Sequence, residues 1–176
     1  MSMSTEQLAK LVKEATGHVF STMLGTEITS GEAYLGGSDP GPSEGVVSLI
    51  GLAGAWIGTG SVFCSAEMAC KIAAGFLMND YPAVNSEVLD AVAEVTNMII
   101  GNVKTSLEEQ FGPMGLSIPT VIYGRNFITR TVGNSEWVGV PFFWNDERIE
   151  VQVCLAPNED GKTAHSRFWM AGMRSV

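Results

Sequence analysis

The period of the apolar positions changes several times along the chain. Leu8, Leu11, Val12, Ala15, Val19 and Met23 recur at the three-and-four spacing of an amphipathic helix. Ser4 or Thr5 can cap its start, Glu6 suits the first turn, and Gly25 suits the residue past its end at Leu24. Glu27 to Tyr34 alternates loosely and predicts a strand, followed by a loop, Gly36 to Ser43, dense in Gly, Pro and Ser. Val46 to Leu52 and Ala55 to Cys64 are β-type runs across a glycine-containing turn, which predicts a hairpin. Ser65 then caps a helix from Ala66 to about Met78, with Met68, Ile72 and Phe76 along one side.

The longest periodic stretch runs from Ser86 to Phe111, between the turn residues Asn79-Asp80-Tyr81-Pro82 and Gly112-Pro113. At 100° per residue, Val88, Val92, Val95, Ile99 and Val103 share one side. Asp90, Glu94, Asn97 and Gly101 fall within about 60° of one another on the opposite side. This polar stripe is expected to face solvent or a partner. Strands follow at Pro119 to Tyr123, Phe127 to Thr131, Trp137 to Trp144 and Ile149 to Leu155, with turns at 133–135 and 145–147. Blocks of helix alternating with antiparallel hairpins predict an α+β fold, with long helices against an antiparallel β-sheet.

Two internal echoes suggest pseudosymmetric halves. Shifted by 80 positions, Val12 to Gly17 lies over Val92 to Asn97; shifted by 81, Trp56-Ile57-Gly58 lies over Trp137-Val138-Gly139. In the first half Gly17 stands where the second has Asn97, and Lys10 where it has Asp90.

Composition narrows the function. The 176 residues, 45% of them hydrophobic, suit one core, expected over residues 1–156, with a tail at 157–176. A net charge of −9 without a basic run argues against a nucleic-acid partner. Cys64, Cys70 and Cys154 match no zinc or redox spacing and read as small hydrophobes. His18 and His165 are too isolated for a histidine metal site, so no metal ligands are assigned. No apolar run approaches the roughly 20 residues of a membrane span, and the polar start lacks a signal-peptide core. A cytoplasmic location is therefore expected.

The stripe also carries a resemblance. Asp90-x3-Glu94-x2-Asn97, followed by a strand-initiating Pro119, resembles the signature of the CheX/CheC/FliY chemotaxis phosphatases. D-A-V-A-E-V-T-N-M-I-I-G-N-V-K-T, I-G-L-A-G at Ile50 and S-I-P-T-V-I-Y-G at Ser117 are similar to the CheX branch. The resemblance runs from about Thr5 to about Leu155. It implies two pseudosymmetric halves, one surviving site per chain, and a homodimer that in some members continues the sheet between subunits. Val46 to Cys64 and Trp137 to Leu155 are expected to include the pairing edge.

The implied activity is hydrolysis of the aspartyl phosphate on a phosphorylated CheY-like receiver domain. This chain would bind no cofactor, the Mg2+ being held by the receiver. Asn97 would position the attacking water and Glu94 would dock on the receiver lysine; Asp90, at the edge of the stripe, would be a peripheral contact or simply solvated, and Gly101 would leave a flat place for close approach of a partner backbone. Three other readings compete. A wet helix face needs polar residues with no function attached, but Asn and Gly are poor helix formers for that purpose. A non-catalytic receiver-binding or flagellar-switch module could use the same face, although binding alone does not require the amide of Asn97. A metal hydrolase fits poorly, because the stripe offers few ligands.

Overall fold

The computed structural model describes residues 3–36, 43–128 and 136–158. They form three helices, α1 (Thr5–Met23), α2 (Ala66–Leu77) and α3 (Ser86–Phe111). The strands are β1 (Thr29–Ser30), β2 (Tyr34–Gly36), β3 (Ser43–Gly54), β4 (Trp56–Cys64), β5 (Met114–Leu116), β6 (Thr120–Phe127), β7 (Trp137–Trp144) and β8 (Glu147–Pro157). Each helix starts on a side-chain cap. Ser4 Oγ accepts from the Gln7 N–H while Gln7 Oε1 accepts from the Ser4 N–H. Ser65 Oγ accepts from Met68 N–H, and Asn85 Oδ1 from Val88 N–H. No helix among the described residues is long and apolar enough to cross a membrane.

The strands join one antiparallel sheet in the order β1–β7–β8–β4–β3–β5, with β2 also pairing with β7 and β6 with β3. Cutting the chain between α2 and α3 assigns β1 to β4 to one half and β5 to β8 to the other. The order then reads the same from either edge with the halves exchanged, and the halves meet where β4 pairs with β8. The opening strands are swapped: β1 and β2 border β7 of the second half, and β5 and β6 border β3 of the first. The fold is therefore α+β with two pseudosymmetric halves, as expected.

The helix echo has a structural counterpart. At an offset of 80, the buried positions Leu8, Val12, Ala15, Thr16, Val19 and Phe20 of α1 fall on Val88, Val92, Val95, Thr96, Ile99 and Ile100 of α3, also buried. The tryptophan echo does not. Trp56 opens β4 and Trp137 opens β7, whereas the counterpart of β4 is β8.

One face of the sheet packs against the helices to form the core. Val46, Ser48 and Ile50 of β3 stand opposite Cys64, Val62 and Gly60 of β4, which stand opposite Ile149, Val151 and Val153 of β8. Facing partners on paired strands point to the same side, and α3 settles on this side at Gly60. A Cβ there would lie 2.6 Å from Ile100 Cδ1. The missing side chain thus lets helix and sheet approach. α1 and α2 pack against α3.

Several expectations need correction. The strand expected from Glu27 to Tyr34 is broken into β1 and β2. Gly31 N–H donates to Pro141 O at 2.7 Å, and Pro141, having no N–H, cannot return the bond. The register accordingly slips by one residue between Ser30↔Phe142 and Tyr34↔Gly139. The expected pairing edge is also wrong. β3, β4, β7 and β8 each have neighbours on both sides, because the swapped opening strands cover β3 and β7. The edges are β6 with β5, and β1 with β2. The strand expected at Phe127 to Thr131 contributes only Phe127 to β6, and 129–131 lie outside the described residues. β8 reaches Pro157, and Asn158 clasps the start of β4 through Gly54 O and Ala55 O. The remainder of the tail, 159–176, lies outside the described residues.

Candidate active site

The sequence-predicted stripe lies on α3 as the periodicity requires. Val88, Val92, Val95, Ile99 and Val103 are buried, while on the opposite side Asp90 and Glu94 are exposed and Asn97 and Gly101 half-buried. Asp90, Glu94 and Asn97 make no side-chain hydrogen bond or ion pair among the described residues. Their polar atoms therefore remain available to an incoming group. Asn97 offers one acceptor and two donors, and Glu94 a carboxylate one helical turn before it.

Gly101 extends the stripe by a further turn. A Cβ added there would meet only Leu116 Cδ1, at 3.8 Å, an ordinary van der Waals distance. The interior of this protein does not demand glycine at that position, although glycine costs a helix about 1 kcal/mol relative to alanine. Thr105 Oγ1 donates to Gly101 O at 3.0 Å.

Both ends of α3 are fixed. Asn85 caps the start. Near the end, Glu108 Oε2 accepts from Lys104 Nζ at 2.6 Å and Glu108 Oε1 from Met114 N–H at 2.8 Å. The hydrogen bond from the Lys104 ammonium, with that from Met114 N–H, holds the Glu108 carboxyl below the usual carboxylate range. The last turn of the helix is thereby tied to the first residue of β5.

From β5 the chain passes Ser117 and Ile118 to Pro119, which directly precedes β6. Ser117 N–H donates to Gly51 O and Ser117 Oγ accepts from Gly51 N–H, both at 2.9 Å. Ser117 Oγ also donates to Ile118 O. This clamp holds Ile118 outward at 86% exposure. The sequence reading missed Ile118, because one apolar residue between Ser and Pro has no periodic signal.

The equivalent place on α1 is chemically empty. Gly17 supplies no amide, and Glu14, the counterpart of Glu94, pairs with Lys10 at 3.7 Å. Elsewhere, Cys64 and Cys154 are buried and Cys70 half-buried. Burial pushes the Cys64 thiol up to about 12, which makes it a poor nucleophile. Among the described residues no three His, Cys, Asp or Glu side chains converge to hold a metal ion.

Known proteins share this fold. The family model described as chemotaxis phosphatase CheX matches residues 46–143. No curated protein matches the chain. Among solved structures, a putative chemotaxis protein from Desulfovibrio vulgaris Hildenborough is 31% identical with a TM-score of 0.76, covering 85% of this chain and 97% of its own. The chemotaxis protein CheX from Desulfovibrio desulfuricans is 29% identical with a TM-score of 0.76, covering 85% of this chain and 99% of its own. A chain of the CheX–CheY–BeF3–Mg2+ complex from Borrelia burgdorferi is 29% identical with a TM-score of 0.71, covering 83% of this chain and 96% of its own. With the matched segment spanning more than half of its residues, α3 and its stripe included, this chain belongs to the CheX family of chemotaxis phosphatases.

Proposed function

We propose that this chain hydrolyses the aspartyl phosphate of a CheY-like receiver domain, with Asn97 positioning the attacking water and Glu94 docking on the receiver. The observation that carries this reading is the pair itself. Glu94 and Asn97 lie one turn apart on the solvent side of α3, and their side chains make no hydrogen bond or ion pair among the described residues. The phosphorylated receiver brings the phosphoryl group and its Mg2+, which offsets developing negative charge. Missing from it is a fixed water in line with the phosphorus. The Asn97 amide can accept from and donate to such a water. An amide is too weak a base to remove a proton, so its contribution is positioning. Water attacks phosphorus, the Asp–phosphate bond breaks, and inorganic phosphate leaves with the water's protons.

Glu94 aims the amide by pairing with a receiver lysine beside the phosphate, and Asp90 and Gly101 border the contact. The open space above Gly101 favours close approach of a partner backbone. We further propose a homodimer, for which the free sheet edges at β6 and at β1 and β2 are the available pairing surfaces. The decisive experiment adds the chain to a phosphorylated receiver with Mg2+ and times phosphate release. Acceleration at substoichiometric amounts identifies an enzyme. Binding without acceleration identifies a docking or flagellar-switch module instead.

A further inference from the structure

The stripe is small and polar, which suits steering and register better than affinity. Charged rim contacts chiefly set association rate and orientation, whereas buried apolar or aromatic anchors carry most binding energy. We propose that Ile118 is such an anchor, gripping the same receiver domain beside Glu94 and Asn97, with Tyr123 as a second contact; this rests on the functional reading above.

Single exposed isoleucines are ordinary on protein surfaces. Two properties separate this one. The first is rigidity. Ser117 is bonded in both directions to Gly51 of β3, and Pro119 restricts the backbone of the residue before it. Little conformational freedom remains for a partner to quench, so the exposed side chain is ready for docking.

The second is place. Leu116 lies next to Gly101 on α3. Ile118 follows two residues later, within about 7 Å of Leu116 along the chain. Gly101 is one turn, about 6 Å of rise, from Asn97. A stable complex covers roughly 800 Å² on each partner, a patch about 16 Å in radius. These steps put Ile118 within about 20 Å of Asn97, so a footprint of that size shifted towards β5 covers both Asn97 and Ile118. Tyr123 lies five residues further along, on β6. It stands opposite Val46, on the helix-bearing side of the sheet, and is 52% exposed. With Cys70 and Tyr81 it lines a cleft of about 750 Å³ between α2 and β6. The other edge supplies a control: Leu35 of β2 is 54% exposed but lies beyond β7, at the opposite edge of the sheet from Ile118.

The test uses the full chain and a beryllofluoride- and Mg2+-loaded CheY-type receiver whose dephosphorylation the unmodified chain accelerates. Ile118→Ala should weaken binding about 10-fold. Ile118→Asp should weaken it further, and Leu35→Ser should leave it unchanged. Phosphate release at saturating receiver should stay within about twofold of the original for all three, since none alters the water's position. Thermal melts verify folding, which an exposed side chain should not disturb. Unchanged affinity in Ile118→Asp overturns the anchor. So does a fall in saturated rate at unchanged affinity. If Ile118→Asp binds normally while Asn97→Ala loses turnover, the anchor is wrong and the catalytic reading stands. If the unmodified chain accelerates no receiver, the catalytic reading fails and the anchor falls with it.

Discussion

Gly60 and Ile100 occupy space that two side chains could not share, since a Cβ on Gly60 would stand 2.6 Å from Ile100 Cδ1 and 2.7 Å from its Cγ1. Ile100 lies three residues beyond Asn97, so this contact sets the height of the candidate catalytic turn above the sheet. Gly60→Ala should destabilise the fold by about 1–3 kcal/mol through overpacking. Ile100→Ala alone should cost about 2–5 kcal/mol by leaving a cavity, but combined with Gly60→Ala the added methyl enters that space, giving a double variant more stable than additivity predicts. Urea denaturation of the four proteins measures the coupling.

Asn97→Ala separates chemistry from docking. Alanine is the better helix former, so thermal stability should be unchanged or slightly raised. Affinity for the receiver should stay within a few-fold, while stimulated dephosphorylation falls by at least ~10²-fold, since misplacing one reacting group can cost that much. Full activity in this variant would reduce the stripe to a docking surface. Equal loss of binding and rate would make Asn97 a contact residue.

Glu94→Ala should lose affinity as well as rate, because an intermolecular charge pair disappears with the carboxylate. Its binding should also become less sensitive to salt than that of the original. Titrations with a beryllofluoride-loaded receiver at low and high ionic strength read both effects.

Glu14→Ala tests the first half. Glu14 is the positional counterpart of Glu94, but it is paired with Lys10 and has no asparagine beside it. Phosphate release should be nearly intact, and the loss of an exposed helical pair should change stability by no more than ~0.5 kcal/mol. A loss comparable to that of Glu94→Ala in a folded protein would restore a second site.

Acid titration tests the brace at the end of α3. The Glu108 carboxyl is lowered by Lys104 and by the Met114 N–H. A depressed folded value means its contribution is complete above the unfolded glutamate value of about 4.3 and is lost as pH falls through the folded value. The stability gap between the original and Glu108→Gln should therefore be constant near neutrality and shrink through this acidic window. Parallel curves would show that the brace is not linked to folding.

The helices were legible in sequence because their signals are local. Caps at Ser4 and Ser65, the turn residues ahead of Ser86 and the 3.6-residue period marked α1, α2 and α3, and with them the exposed side of Glu94 and Asn97; the Asn85 cap is seen only in the structure. The sheet edges were not. β1, β2 and β5 are two or three residues long, too short for alternation to register. Which strand they border depends on distant pairing, and the break at Gly31 is imposed by a proline 110 positions away. Ile118 was invisible for a related reason. Its exposure is set by the Ser117 clamp to Gly51, a relationship between segments far apart in sequence.

The exchange of opening strands makes each half a guest in the other's sheet. Cleaving the chain between α2 and α3 would leave two pieces, each with an unfilled slot shaped for the other's first strand. Neither should be an autonomous folding unit, and the two should recover a native core only by complementation. The half that lacks the amide thus persists as scaffold, since its β3 supports the segment from β5 to β6 that borders the candidate site. The pseudosymmetry thus sets a half that carries the candidate stripe beside a half that braces it.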